Sequence, residues 1–204
     1  FPGHGDTFVD SHRALPTVSR NEKEVREIDL FPFAQGINAG VDLVMTSHIC
    51  FEALDPNKPA TFSSLILNNL LREELGFGGV VVSDSMNMHS LQKNYDSVDA
   101  AVEALCSGVD LIMLAEEHYD HDSQYQVRQR RLIEGVQKAF RDGKIPENRI
   151  VDAISRVRML KGKIKKVENP RFEDSTWVSR SRESAAKAIR FLQKTDNWKR
   201  PEAK

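Results

Sequence analysis

Cysteine is scarce in this sequence, with only Cys50 and Cys106 among 204 residues. Both stand in apolar-leaning surroundings, so we interpret them as small buried thiols and not as metal ligands or a disulfide pair. A disulfide-stabilised scaffold is therefore excluded. The redox compartment stays open, with a slight preference for a reducing compartment or for a secreted protein without disulfides.

Long apolar runs are also missing. Hydrophobic residues make up 40% of the chain, but no run approaches the roughly 20 residues that a membrane span requires. The 29% of charged residues and the net charge of -1 are ordinary for a globular domain with a core. The sequence opens on Phe1-Pro2-Gly3, without an initiator Met or a signal-like start, which predicts a fragment of a longer chain.

The small net charge conceals an uneven distribution. Residues 1–120 carry 7 Lys and Arg against 19 Asp and Glu, whereas residues 121–204 carry 22 against 11. A basic half is compatible with nucleic-acid binding. Here the cations are spread over helical segments without interleaved aromatic residues, which favours a solvated helix face or a surface that faces the acidic half.

Strands and helices alternate along the chain. Short apolar runs predict buried parallel strands at 41–45, 79–83 and 109–114. Helical periodicity, with capping and stop residues, predicts helices at 20–38 (interrupted by Pro32), 64–75, 97–107, 124–142, 147–166 and 182–193. Residues 51–62 are expected to be a loop. This pattern predicts an α/β fold, and the strand spacing leaves both a (β/α)8 barrel and a doubly wound sheet open.

A glycine-rich nucleotide-binding turn is absent. Gly76-Phe77-Gly78-Gly79 precedes its strand, whereas phosphate-binding turns follow one. What is present instead is a set of polar residues where strands end. Asp84 follows Val80-Val81-Val82, and Thr46-Ser47-His48 follows the first strand. Parallel α/β folds carry their chemistry at this edge. The structural alternative for Asp84 is a helix cap.

The first 16 residues are rich in Gly, His and Asp, and we interpret them as a functional loop. Its polar side chains are more numerous than a turn requires: His4, Asp6, Asp10, Ser11 and His12. His12 with Asp10 fits an acid/base histidine and the carboxylate that orients it. A surface histidine is the structural alternative. A metal cluster of His4, Asp6, His12 and His48 is less favoured, because no spacing is diagnostic.

Several motifs, in order along residues 1–160, resemble glycoside hydrolases of family three. They are Phe1-Pro2-Gly3-His4-Gly5-Asp6-Thr7, Asp10-Ser11-His12, Leu15-Pro16, Met45-Thr46-Ser47-His48, Leu75-Gly76-Phe77-Gly78-Gly79-Val80, Ser83-Asp84-Ser85-Met86-Asn87-Met88, and Ala104 with Gly108-Val109-Asp110. The Asp-Ser-His triplet is similar to that of the bacterial β-N-acetylglucosaminidase branch, which acts in peptidoglycan recycling.

The resemblance implies a fold and a set of roles. The chain would hold the last three βα units of a (β/α)8 barrel over residues 1–166, with residues 167–204 leading into a second domain. Asp84 would be the nucleophile, and His12 the acid/base assisted by Asp10. Substrate binding would fall to His48, His4 and Met86, and neither a metal nor another cofactor is implied.

The resemblance also sets the partners. The substrate would be a carbohydrate and the N-terminal part of the barrel a further partner, with neither nucleic acid nor a membrane span involved. A bacterial cytoplasm is preferred over secretion. The alternatives are another family three β-glycosidase, such as a β-glucosidase or xylosidase, and a non-catalytic carbohydrate-binding fragment. We also expect the Phe1–Pro16 loop to move and to close over bound sugar, while Asp84 stays fixed.

Overall fold

The computed structural model describes residues 1–4, 7, 15–88, 91, 94–115, 124–164, 179 and 183. By its internal contacts the chain divides into two units, Phe1–Ile164 and Lys165–Lys204. The fold below is that of the first unit. The predicted linker at 167–178 lies outside the described residues, and of the predicted helix at 182–193 only Glu183 is described.

Parallel strands and helices alternate in the first unit, as the sequence predicts. The strands are β1 (Thr17–Val18), β2 (Leu43–Met45), β3 (Cys50–Phe51), β4 (Val80–Ser85) and β5 (Leu111–Met113). The helices are α1 (Glu22–Glu24, continued by a π-turn at Val25–Asp29), α2 (Phe31–Asn38), the π-helix α3 (Leu65–Glu74), α4 (Ser97–Ser107), α5 (Tyr125–Arg141) and α6 (Glu147–Lys163). A 3-10 turn spans Ala60–Phe62.

The central sheet has the order β2-β4-β5, and both pairings are parallel. Leu43 lies beside Val80 and Met45 beside Val82, while Val82 lies beside Leu111. The expected α/β class with parallel strands is thereby confirmed. Because parallel neighbours need crossover connections, helices follow β2 and β4 and cover one face of the sheet.

Side-chain caps mark the starts of α1 and α4. Asn21 forms a capping box with Glu24, in which each side chain accepts from the other residue's backbone N–H, at 3.0 and 3.2 Å. Asp96 accepts from the N–H of Val98 at 2.9 Å at the start of α4. The predicted interruption near Pro32 is observed, because the first helical segment ends at Leu30 and Pro32 occupies the first turn of α2.

Two expectations were wrong. The predicted loop at 51–62 contains Phe51 of β3, which pairs in parallel with β1, and the 3-10 turn. Two-residue strands carry no periodicity that a sequence can reveal. The cysteines are also not both buried: Cys50 is partly buried and Cys106 is exposed.

The core lies between the central sheet and the helices that cover it. Its largest buried side chains include Phe51, Phe62, Ile66, Leu67 and Leu71. The opposite sheet face is open: Leu43 and Met45 are 42% and 45% exposed, while Val44 between them is buried. Within the described residues, no helix is both long and apolar enough to cross a bilayer.

Candidate active site

Asp84 lies near the C-terminal end of β4 and on the open face of the sheet. Alternation along a strand sends successive side chains to opposite faces. Ser83 and Ser85 are buried on the helix-covered side, whereas Asp84 between them is partly exposed. The strand continues through Ser85 and a turn follows at Met86 and Asn87, so the alternative in which Asp84 caps a helix is wrong.

Backbone hydrogen bonds fix the strand end that carries Asp84. The N–H of Ser85 donates to Asp84 Oδ1 at 2.7 Å. Ser85 Oγ donates to the carbonyl of Ala115 and accepts from the N–H of Ala115, both at 3.3 Å. The Ser83 hydroxyl accepts from the N–H of Met113 at 2.9 Å. Asp84 therefore lies on the part of β4 that these hydrogen bonds connect to β5 and to the residues after it.

A cavity of about 420 Å³ opens in front of Asp84. Its walls come from the start of the chain, from α2 and from the open face of β2, with Gly3, His4, Phe33, Leu43 and Met45 among the lining residues. Asp84 and His4 are the two predicted site residues that the structure brings to this cavity. The arrangement places one carboxylate in a mostly apolar recess, as many small-molecule sites do.

His4 is held by the loop itself. The hydroxyl of Thr7 donates to the carbonyl of His4 at 3.0 Å and lies 3.2 Å from His4 Nδ1. His4 is exposed at the cavity rim. His4 therefore both stabilises the loop and faces the cavity.

His48 and Met86 are placed differently from expectation, because each side chain is only 1% exposed. His48 Nδ1 lies 2.8 Å from the hydroxyl of Thr61, and Nε2 lies 3.2 Å from the carbonyl oxygen of Ser85. Burial lowers the pKa of His48, with the nearby charge of Asp84 opposing that shift. In this structure neither side chain is open to a ligand.

Asp10 and His12, the predicted acid/base pair, lie outside the described residues. So does Asp6, and the hypothetical metal cluster therefore remains a hypothesis. Within the residues that the structure describes, no three His, Cys, Asp or Glu side chains gather as metal ligands would.

Sequence reasoning missed three polar residues around the site. Arg20 binds Asp29 through both carboxylate oxygens, at 3.1 and 3.0 Å, and Asp29 packs beside Gly3 at the start of the loop. Thr61 reaches His48 from the 3-10 turn. No sequence signal points to Thr61, whereas the Asp29 carboxylate inside an apolar helix face could have been flagged as needing a buried partner.

A partly exposed carboxylate at the C-terminal edge of a parallel sheet, in front of a cavity, is the arrangement of α/β enzymes. Comparison with known proteins identifies the enzyme family. Residues 1–160 match the model of the glycosyl hydrolase family 3 N terminal domain. The chain belongs to this family.

Curated relatives include β-hexosaminidases. One is β-hexosaminidase A of Pseudoalteromonas piscicida, 34% identical over 176 residues that cover 80% of this chain and 29% of the relative. Another is the β-hexosaminidase of Psychromonas ingrahamii, 42% identical over 118 residues that cover 57% of this chain and 35% of the relative.

Solved structures with a similar fold include β-N-acetylglucosaminidases. The family 3 β-N-acetylglucosaminidase from Paenibacillus sp. str. FPU-7 superposes with a TM-score of 0.73 at 36% identity, over 86% of this chain and 34% of that one. The β-N-acetylglucosaminidase from Thermotoga maritima has a TM-score of 0.70 at 29% identity, over 81% and 34%. The chain thus spans about a third of the length of the proteins that it matches.

Proposed function

We propose that this chain carries the nucleophile-bearing part of a retaining exo-β-N-acetylglucosaminidase, which removes terminal N-acetylhexosamine from cell-wall (peptidoglycan) fragments. The observation that carries the proposal is the position of Asp84: at a strand end, on the open face, with one oxygen held by a backbone N–H. The β-hexosaminidase names of its relatives support the sugar class.

In the proposed mechanism the Asp84 carboxylate attacks the anomeric carbon while the leaving oxygen takes a proton. A covalent glycosyl-enzyme forms, and water then attacks the same carbon and releases Asp84. His12 donates the first proton and later accepts one from the water. Asp10 orients the imidazole and stabilises its charge. His4 contributes to the wall of the sugar pocket, and no metal or other cofactor takes part.

The same proposal includes completion of the sheet into a (β/α)8 barrel, of which this chain supplies the last three units. The edge of β2 that faces away from β4 forms hydrogen bonds with Phe1. The N–H of Ser47 donates to the carbonyl of Phe1 at 3.0 Å, and the nitrogen of Phe1 donates to the carbonyl of Met45. Barrel closure would cover the open apolar face and remove the sheet edges. The N-terminal strands are therefore the proposed partner.

The test uses the protein with its N-terminal barrel segment and 4-nitrophenyl β-N-acetylglucosaminide. Asp84→Asn should abolish the release of 4-nitrophenol. Asp42→Asn is the matched control: Asp42 precedes β2 at the other end of the sheet, where it pairs with Lys163 at 2.6 Å. Wild-type activity in Asp84→Asn would refute the role of Asp84. Faster cleavage of β-glucosides or β-xylosides would refute the N-acetylglucosaminide specificity.

A further inference from the structure

His48 is buried beside the strand end that carries Asp84, and its ring joins two segments of the chain. Nδ1 lies 2.8 Å from Thr61 Oγ1 in the 3-10 turn, and Nε2 lies 3.2 Å from the carbonyl oxygen of Ser85 at the end of β4. With 1% of its surface exposed, the ring cannot reach a ligand in the cavity. His48 is therefore linked to the strand end through these two contacts and not through the substrate.

The two contacts define the tautomer of the ring. A carbonyl oxygen only accepts hydrogen bonds, so the proton must be on Nε2. In the neutral ring, which burial favours, Nδ1 is then an acceptor and the Thr61 hydroxyl donates to it. With the Thr61 proton directed at Nδ1, the hydroxyl of Thr46, 2.9 Å from Thr61 Oγ1, is the group that can donate to Thr61. The carbonyl of Ser47, 3.1 Å from Thr61 Oγ1, competes with His48 Nδ1 for the same hydroxyl proton at a longer distance.

Ser85 is the residue through which His48 reaches the carboxylate. Its N–H donates to Asp84 Oδ1 at 2.7 Å, and its carbonyl accepts from His48 and from the N–H of Met88, both at 3.2 Å. Its hydroxyl is bound to both backbone groups of Ala115, at 3.3 Å, and accepts from the N–H of Asn87 at 3.3 Å. The backbone groups and the hydroxyl of Ser85 thus all have partners, so its backbone is held on both sides of the Cα atom.

We infer that His48 is a positioning residue: by holding the Ser85 carbonyl, in the peptide unit after Ser85, it restricts the backbone torsions of Ser85 and thereby keeps the Ser85 N–H, in the preceding unit, directed at the Asp84 carboxylate. The inference rests on the proposed function of Asp84 as nucleophile. Nucleophilic attack requires the reacting atoms at about 3–3.5 Å, and a displacement of about 1 Å costs on the order of 10²-fold in rate. A buried ring is suited to this task because packing fixes its rotamer.

Three variants distinguish a role of His48 in positioning Ser85 from a role in filling the core. His48→Leu removes the donor to Ser85 and leaves an apolar side chain of smaller size. His48→Gln keeps an N–H donor near the position of Nε2. Asn68→Leu is the matched control, because Asn68 also donates a side-chain N–H to a carbonyl, that of Ser107 at 3.2 Å, away from the site.

The first measurement is steady-state kinetics with 4-nitrophenyl β-N-acetylglucosaminide on the protein that includes its N-terminal barrel segment. His48→Leu should lower kcat by about 10²-fold with little change in KM, since the sugar itself is not contacted. His48→Gln should recover most of this loss, and Asn68→Leu should keep the wild-type kcat. An unchanged kcat in His48→Leu would overturn the inference and leave the proposed function intact. Absence of turnover in the wild type would overturn the proposed function instead.

The second measurement does not depend on activity. Amide hydrogen exchange of Ser85, followed by NMR, reports the hydrogen bond to Asp84 directly. His48→Leu should raise this exchange rate by about tenfold relative to the wild type, whereas Asn68→Leu should not. Equal protection of Ser85 in His48→Leu and the wild type would show that His48 does not control the position of this N–H, and would overturn the inference.

Discussion

Arg149 donates to Asp110 from α6 across to the start of β5, with 2.7 Å between Nη2 and Oδ1. The Asp110 side chain is fully buried and also accepts from Arg72 at 2.6 Å, from Arg156 at 3.1 Å and from the N–H of Val81 at 3.0 Å. Three guanidinium groups therefore share one carboxylate at the end of the sheet opposite Asp84. This cluster connects α3 and α6 to β4 and β5.

Asp110→Ala should lower the free energy of unfolding by about 3–5 kcal/mol, because it leaves three largely buried cations without their anion. Urea unfolding followed by circular dichroism measures the change. Asp142→Ala is the control, since Asp142 pairs with Lys138 on the surface of α5. A loss no larger than that of Asp142→Ala would show that the cluster does not stabilise the fold.

Gly79→Ala should disturb the entry into β4. A Cβ at residue 79 would lie 2.5 Å from the carbonyl oxygen of Asp42 and 2.6 Å from the ring of Phe77, so the backbone of the neighbouring segment must shift. Overpacking of this kind costs about 1–3 kcal/mol. Gly78→Ala is an adjacent control, because nothing lies within 4 Å of its added Cβ. Thermal unfolding of the pair checks the prediction, and equal stabilities would contradict it.

The stability of the protein should depend on the protonation of His48. Burial holds its pKa in the folded state below the ordinary value of 6.5. Between those two pKa values the unfolded chain binds more protons than the folded chain, so the free energy of unfolding falls as the pH is lowered through this window. The hydrogen bond to the Ser85 carbonyl and the nearby charge of Asp84 reduce this pKa shift without reversing it.

His48→Gln removes this titration. The difference in the free energy of unfolding between the wild type and His48→Gln should therefore become smaller as the pH is lowered through the ordinary pKa of 6.5, as urea titrations at several pH values can measure. A difference that is constant with pH, or that grows on acidification, would contradict a His48 that is buried in its neutral form.

Leu43→Lys tests whether the open sheet face is covered in the proposed (β/α)8 barrel. If the barrel closes, this substitution places an unpaired charge in its interior and should destabilise the protein by several kcal/mol. Val151→Lys, at a comparably exposed residue of α6 (54% against 42%), is the control and should be nearly neutral. Equal unfolding midpoints of the two variants would contradict barrel closure over Leu43.

The sequence predicted the parts of this fold that depend on local pattern. The apolar runs at 41–45 and 109–114 contain all of β2 and β5, and the run at 79–83 contains most of β4. The break in the first predicted helix follows from the missing N–H of Pro32. The position of Asp84 could also be predicted, because side-chain alternation and strand direction are local properties. The (β/α)8 closure and the roles of Asp10 and His12 stay predictions.

Features that depend on contacts between distant segments could not be predicted. His48 follows a strand and looked like a residue of the pocket, but Thr61 and Ser85, which enclose it, lie 13 and 37 residues away. The three arginines that pair with Asp110 lie 38 to 46 residues from it along the chain. Sequence spacing alone does not determine which side chains meet when the segments pack together.

The central claim is that Asp84 attacks the sugar, and trapping of the covalent intermediate tests it most directly. The protein with its N-terminal barrel segment is incubated with a 5-fluoro-N-acetylglucosaminyl fluoride, whose fluoride leaves readily while the ring fluorine slows hydrolysis of the intermediate. Intact mass and peptide mapping should locate one glycosyl adduct on Asp84, and Asp84→Asn should carry none. An adduct on another residue, or turnover of the natural linkage with inversion and without an adduct, would contradict the account.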